Sequence, residues 1–171
     1  MFLIIGAAAM LASQAPGQSP PAGATAQLAT PAVTETAIAG FPHARLYSLP
    51  GTAPRPVIVI LPGAEGGDGA GKRFGPMLAR MGYAAVSFPY YSPNWGPTMP
   101  PPQFPDLAGS FVDIRIDQLV TLRDALAKAP GVDVERIGLF AGSKGAEFAL
   151  IAASRYPWID AVAAFAPSDL V

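Results

Sequence analysis

The sequence predicts an α/β protein: a mostly parallel sheet with helices on both faces. Three observations predict it. From residue 44 onward, short apolar runs rich in branched residues alternate with longer segments of helical periodicity. One run, Pro56 to Leu61 (PVIVIL), shows no polar alternation, as expected of a strand buried on both faces. Two glycine-bearing loops, 63–67 and 141–145, follow apolar runs, and open α/β sheets gather their functional groups beyond the carboxyl ends of the strands. The 171 residues are 51% hydrophobic and 13% charged, enough apolar material for one domain with a core. The net charge of -1 gives no basis for nucleic acid or anionic lipid as a partner. The chain has no cysteine, which excludes disulfides, thiolate metal sites and a cysteine nucleophile.

Taken in order, the chain begins with an apolar run, Phe2 to Ala12, of the length of a signal-peptide h-region, and small residues suited to cleavage follow at Ala24-Thr25-Ala26. No Lys or Arg precedes the run, so the signal is weak. Its implication is export; without it the protein is cytoplasmic. Residues 13–40 are dominated by Ala, Pro, Ser, Thr and Gly with a single charge, Glu35, and read as linker. The organisation is therefore a signal-like segment and linker over 1–40 and a core over 41–171.

Within the core, Ala44 to Leu49 is an expected edge strand and Pro56 to Leu61 a buried one. Lys72 to Met81 is a short helix, with Phe74, Met77, Leu78 and Met81 on one stripe, ended by Gly82. Tyr83 to Phe88 is a second buried strand, and Tyr90 to Pro105 a long proline-rich loop. Phe111 to Ala129 is a helix with apolar Val112, Ile116, Leu119, Val120, Leu122 and Leu126, stopped by Pro130-Gly131. Arg136 to Ala141 is a third core strand, Lys144 to Arg155 a helix, and Ala161 to Phe165 a fourth core strand.

The chemistry concentrates at Ala141-Gly142-Ser143-Lys144-Gly145. A serine on a sharp strand-to-helix turn projects its hydroxyl above the sheet, and the residues two before and two after it must be small. Ala141 and Gly145 are small, and Ser143 becomes the candidate nucleophile of an α/β-hydrolase fold. The helix that follows points its positive end at the reacting oxygen. An oxyanion hole needs two backbone N–H groups, expected from Lys144 and from Ala64 or Glu65 in the loop after the first core strand. Lys144 and Glu147, three apart, read as a surface ion pair. In this fold the acid and then the histidine follow the nucleophile in the chain. After Ser143 there are Glu147, Asp160 and Asp169, with Asp169 a possible acid, and no histidine. The single histidine, His43, precedes the first core strand and is expected to be a polar residue at the start of the domain. No metal and no cofactor are expected.

The run Ile137 to Val171 (IGLFAGSKGAEFALIAASRYPWIDAVAAFAPSDLV) resembles the carboxyl-terminal domain of the acyl-CoA thioester hydrolase / bile acid-CoA:amino acid N-acyltransferase family, which has a similar Ser-Lys-Gly-Ala-Glu elbow. Arg45-Leu46-Tyr47, PVIVILPGAEGG at 56–67 and LARMGYAAVSFPYY at 78–91 extend the resemblance over residues 43–171, and these parts are shared with dienelactone-hydrolase-like proteins. The resemblance implies a serine hydrolase of acyl thioesters or carboxylic esters acting on a small-molecule substrate through an acyl-enzyme. It also implies further strands carrying the acid and the histidine, so the chain reads as the first part of such a domain. Two other readings stay open: a non-catalytic binding protein of this fold, favoured by the missing histidine, and a peptidase of the same fold.

Overall fold

A computed structural model of the chain describes residues 31–63, 66–90 and 110–167, with the side chains of the second helix from residue 116 onward. Six strands form one sheet: β1 (Thr34–Ile38), β2 (Phe41–Ser48), β3 (Arg55–Leu61), β4 (Ala84–Ser87), β5 (Val132–Gly142) and β6 (Ile159–Phe165). Their spatial order is β1-β2-β4-β3-β5-β6. β1 pairs antiparallel with β2, and β2 antiparallel with β4; β4, β3, β5 and β6 run parallel. The expected α/β class, with its mostly parallel sheet, is the class observed.

The helices α1 (Gly69–Arg80), α2 (Ser110–Leu126) and α3 (Lys144–Arg155) cover both faces of the sheet. Alternate residues along each strand divide between two cores, as the period-2 geometry of a strand requires. Val57, Val59 and Leu61 of β3 join Ile116, Leu119 and Leu122 of α2 and Phe148 of α3 on one face. Ile58 and Ile60 turn the other way, to Leu78 and Ala79 of α1 and Tyr47 of β2.

Four expectations need correction. The linker does not extend to residue 40: Thr34–Ile38 is a strand in register with β2, where Glu35 faces Tyr47 and the Thr34 hydroxyl donates to the Ser48 carbonyl at 2.9 Å. β2 is consequently an interior strand rather than the edge. The strand after α3 is the opposite edge rather than a core strand, because among the described residues β6 is paired only through β5. Met77 of α1 and Met81 just after it are exposed, whereas Gly71, Gly75, Leu78 and Ala79 are buried. The buried stripe is rotated by about one residue because the helix lies against the sheet through its glycines: a Cβ at Gly75 would sit 2.7 Å from Cγ of Tyr47. The loop expected from Tyr90 to Pro105 lies, beyond Tyr90, outside the described residues.

Candidate active site

β5 runs straight into α3 with one residue between them, Ser143. Its backbone is at φ 52°, ψ -127°, a region that costs a non-glycine residue about 1–3 kcal/mol and persists only where the surroundings impose it. The constraints are on both sides. The Ser143 N–H donates to the Phe165 carbonyl at the end of β6 (3.1 Å), and the Ser143 carbonyl accepts from the Ala146 N–H (2.9 Å) as α3 begins. Gly145 lets α3 start directly over β3: a Cβ there would meet the Pro62 carbonyl oxygen and lie 2.7 Å from that of Leu61. Ala141 is fully buried. The requirement for small residues on either side of the serine is thus a packing requirement against the neighbouring strand.

Ser143 is exposed and lines a cleft of about 490 Å³ with Gly63, Gly69, Arg73, Phe74, Phe140 and Phe165 among its walls. Among the described residues two non-glycine positions have positive φ, Ser143 and Ala166 (φ 46°), and both line this cleft. Two outliers converging on one cavity make it the candidate functional site, since strain clusters at functional sites.

The loop after β3 lies at the same end of the sheet as Ser143, with Gly63 in the cleft wall and a turn closed by Gly66 N–H to the Gly63 carbonyl (3.0 Å). Ala64 and Glu65, the expected second oxyanion donors, lie outside the described residues. Lys144 is the first residue of α3, where the opening N–H groups of a helix have no intrahelical acceptor. Asp169 also lies outside the described residues. Asp160, the intermediate acid in the chain, is taken away from the site. It stands at the start of β6, five residues before Phe165, and its carboxylate accepts the Ile137 N–H at 2.8 Å.

The Lys144–Glu147 pair is present, Nζ to Oε2 2.9 Å, but it is not a surface pair. The Glu147 side chain is 3% exposed against 36% for Lys144. Helical spacing alone could not reveal this, because it does not say which face of α3 the rest of the protein covers. His43 is a more instructive case. β2 runs antiparallel to β4, so His43 comes to the same end of the sheet as the carboxyl ends of the parallel strands. It remains three strands from β5, about 14 Å at ordinary strand spacing. It lines a different cavity of about 290 Å³, with Gln118 and Thr121. The imidazole therefore does not reach Ser143, and lateral position in the sheet, rather than chain order, is the reason. Among the described residues no cluster of His, Asp or Glu could hold a metal ion, and no helix is long and apolar enough to cross a membrane. The residue that sequence reasoning missed altogether is Arg73, whose place in the cleft wall follows only from how α1 lies on the sheet.

The model of the dienelactone hydrolase family matches residues 43–170. No curated protein matches the chain. Among solved structures, the chain is similar to a candidate dienelactone hydrolase from Klebsiella pneumoniae subsp. pneumoniae MGH 78578, with TM-score 0.66 and 19% identity over 82% of this chain and 61% of that one. It is also similar to a dienelactone hydrolase-like promiscuous phosphotriesterase from metagenomic libraries, with TM-score 0.61 and 21% identity over 72% of this chain and 53% of that one. At these identities the likeness is one of fold, and the chain spans between 53% and 61% of the length of these two proteins.

Proposed function

The chain belongs to the dienelactone hydrolase family, and on that premise we propose that it is the nucleophile-bearing part of a serine hydrolase acting on carboxylic esters or acyl thioesters. The observation that carries the reading is the strained, exposed Ser143 between β5 and α3, opening on a 490 Å³ cleft. In this reading the Ser143 oxygen attacks the carbonyl carbon while a base takes the hydroxyl proton. The amide of Lys144, with a partner from residues 64–65, and the positive end of α3 stabilise the resulting oxyanion. The bond to the alcohol or thiol then breaks, that leaving group takes the proton, and water hydrolyses the acyl-enzyme in a second round of the same chemistry.

The base of such a site is an imidazole, and His43 is three strands away, so the reading assigns the base to a group other than His43. Asp169 keeps the proposed role of acid, four residues after Phe165 in the sequence. Between the two substrate classes, the apolar run Phe2 to Ala12 supports export, and export favours a carboxylic ester, because CoA thioesters are cytosolic. The distance of His43 from Ser143 is also what a non-catalytic binder of the same fold would show.

The experiment is hydrolysis of p-nitrophenyl acetate and of acetyl-CoA by the full-length protein and by Ser143→Ala. Turnover that disappears in Ser143→Ala supports the reading, and the better substrate fixes the class. Turnover that survives Ser143→Ala overturns it. A protein that binds these compounds and turns over neither is the binding protein.

A further inference from the structure

Of the described residues lining the Ser143 cleft, one carries a charge, Arg73. The nearby charges are already matched: Lys72 with Asp68 at 2.8 Å, and Lys144 with Glu147 at 2.9 Å. Arg73 has no carboxylate partner among the described residues. Its guanidinium carbon lies 5.1 Å from the centroid of the Phe74 ring, and among the described residues its donor edges have no hydrogen-bond partner. The ring under it begins an aromatic wall. Phe74 meets Phe140 edge-on at 5.0 Å, and Phe140 meets Phe165 at 5.5 Å. Phe165 is the residue whose carbonyl holds the Ser143 amide, so the wall runs from Arg73 to the proposed nucleophile.

Two backbone features of the lining have the same electrostatic sign. Gly69 and Ala70 put the amino-terminal end of α1 on the cleft, and Ser143 puts the amino-terminal end of α3 there. Each end carries a partial positive charge. No acidic side chain is among the described lining residues. A cation and two positive helix ends above an apolar wall focus the field for an anion.

We propose that Arg73 is a specificity-determining residue. It holds an oxyanion, carboxylate or phosphate, on a substrate whose apolar part lies along Phe74, Phe140 and Phe165 and whose reacting carbonyl reaches Ser143. The proposal rests on the reading of this cleft as the substrate site, but its test requires no turnover.

Phenylacetate, benzylphosphonate and phenylacetamide share one apolar group and differ in the head that Arg73 would meet. Their affinities for the full-length protein are measured by chemical-shift titration at low ionic strength. At least one anion binds about tenfold more tightly than the neutral amide, as for a charge-assisted hydrogen bond in a partly enclosed site. The anion preferred distinguishes a carboxylate-bearing from a phosphate-bearing substrate. Arg73→Gln removes the preference, and Arg73→Lys, which keeps the charge and loses the fork, retains part of it. Equal affinity for the anions and the amide, a preference that survives Arg73→Gln, or no binding by any of the three overturns the proposal. If instead the preference behaves as stated while hydrolysis survives Ser143→Ala, the assignment of Arg73 stands and the hydrolase reading is what fails.

Discussion

The ion pair at the start of α3 is asymmetric, and the asymmetry sets the cost of breaking it from either side. Lys144→Met keeps the stem and the backbone amide but removes the ammonium, leaving the Glu147 carboxylate, 3% exposed, without its cation. An uncompensated buried charge costs about 3–5 kcal/mol. Glu147→Gln removes the buried charge itself at nearly constant volume. The Lys144 side chain, 36% exposed, turns to water, so what is lost is a pair with one wet partner, about 1 kcal/mol. With a urea m-value of about 2 kcal/mol/M for a domain of this size, Lys144→Met lowers the unfolding midpoint by about 2 M and Glu147→Gln by about 0.5 M. The double variant is less destabilised than the sum of the two, because the stranded carboxylate is no longer there. The assay is urea unfolding followed by circular dichroism at neutral pH. A Glu147→Gln variant as unstable as Lys144→Met, or strict additivity in the double variant, would refute the argument that burial of the carboxylate controls the energetics.

Three further outcomes follow from the packing. Gly145→Ala drives a Cβ into the backbone oxygens of Pro62 and Leu61, which have no rotamer by which to yield, so α3 must move; stability falls by about 1–3 kcal/mol and any Ser143-dependent turnover falls with it, while turnover and melting temperature unchanged from wild type would contradict the close approach. Burial, and then the negative charge of Glu35 opposite it, push the Tyr47 phenol up to about 12 from its ordinary value near 10. A phenol held protonated in the fold stabilises it fully below pH 10 and loses that contribution as pH rises towards 12, so stability falls over that window and the fall is abolished in Tyr47→Phe; an alkaline transition that persists unchanged in Tyr47→Phe speaks against it. Removing β1, by comparing residues 31–171 with 41–171, lowers the melting temperature and exposes the β2 edge to aggregation, as read by light scattering; equal behaviour of the two chains would mean that β1 adds nothing.

The alternation of elements was legible because each core strand is a continuous apolar run and each helix carries its own period, both local properties of the chain. The elbow was legible for the same reason: strand, Gly142, Ser143, Gly145 and helix are consecutive, and α3 begins and ends where its sequence says. What escaped was decided by distant neighbours. Thr34–Ile38 is a strand only because β2 lies beside it; its TETAI sequence, following a Pro- and Ala-rich stretch, carries no burial signal except Ile38. Glu147 has the spacing of a surface pair and the burial of a core residue, which is set by how α3 lies on the sheet and not by local sequence. Arg73 is one polar position among several on α1 until the helix is placed on the sheet. The base of the proposed reaction was not legible for a different reason: the one histidine in the chain is at the correct end of the sheet but in the wrong strand.

The bond from the Ser143 amide to the Phe165 carbonyl works as a latch between the elbow and the outermost strand. Phe165 is half exposed, and β6 has no outer neighbour among the described residues, so the latch is mounted on the part of the sheet that frays most easily. Fraying of the end of β6 would remove one of the backbone bonds that hold Ser143 at positive φ and so loosen the placing of its hydroxyl. Any strand or ligand that covered the outer side of β6 would therefore also steady the serine. Amide exchange at Ser143 should slow in step with protection along β6, although the two segments are far apart in the chain.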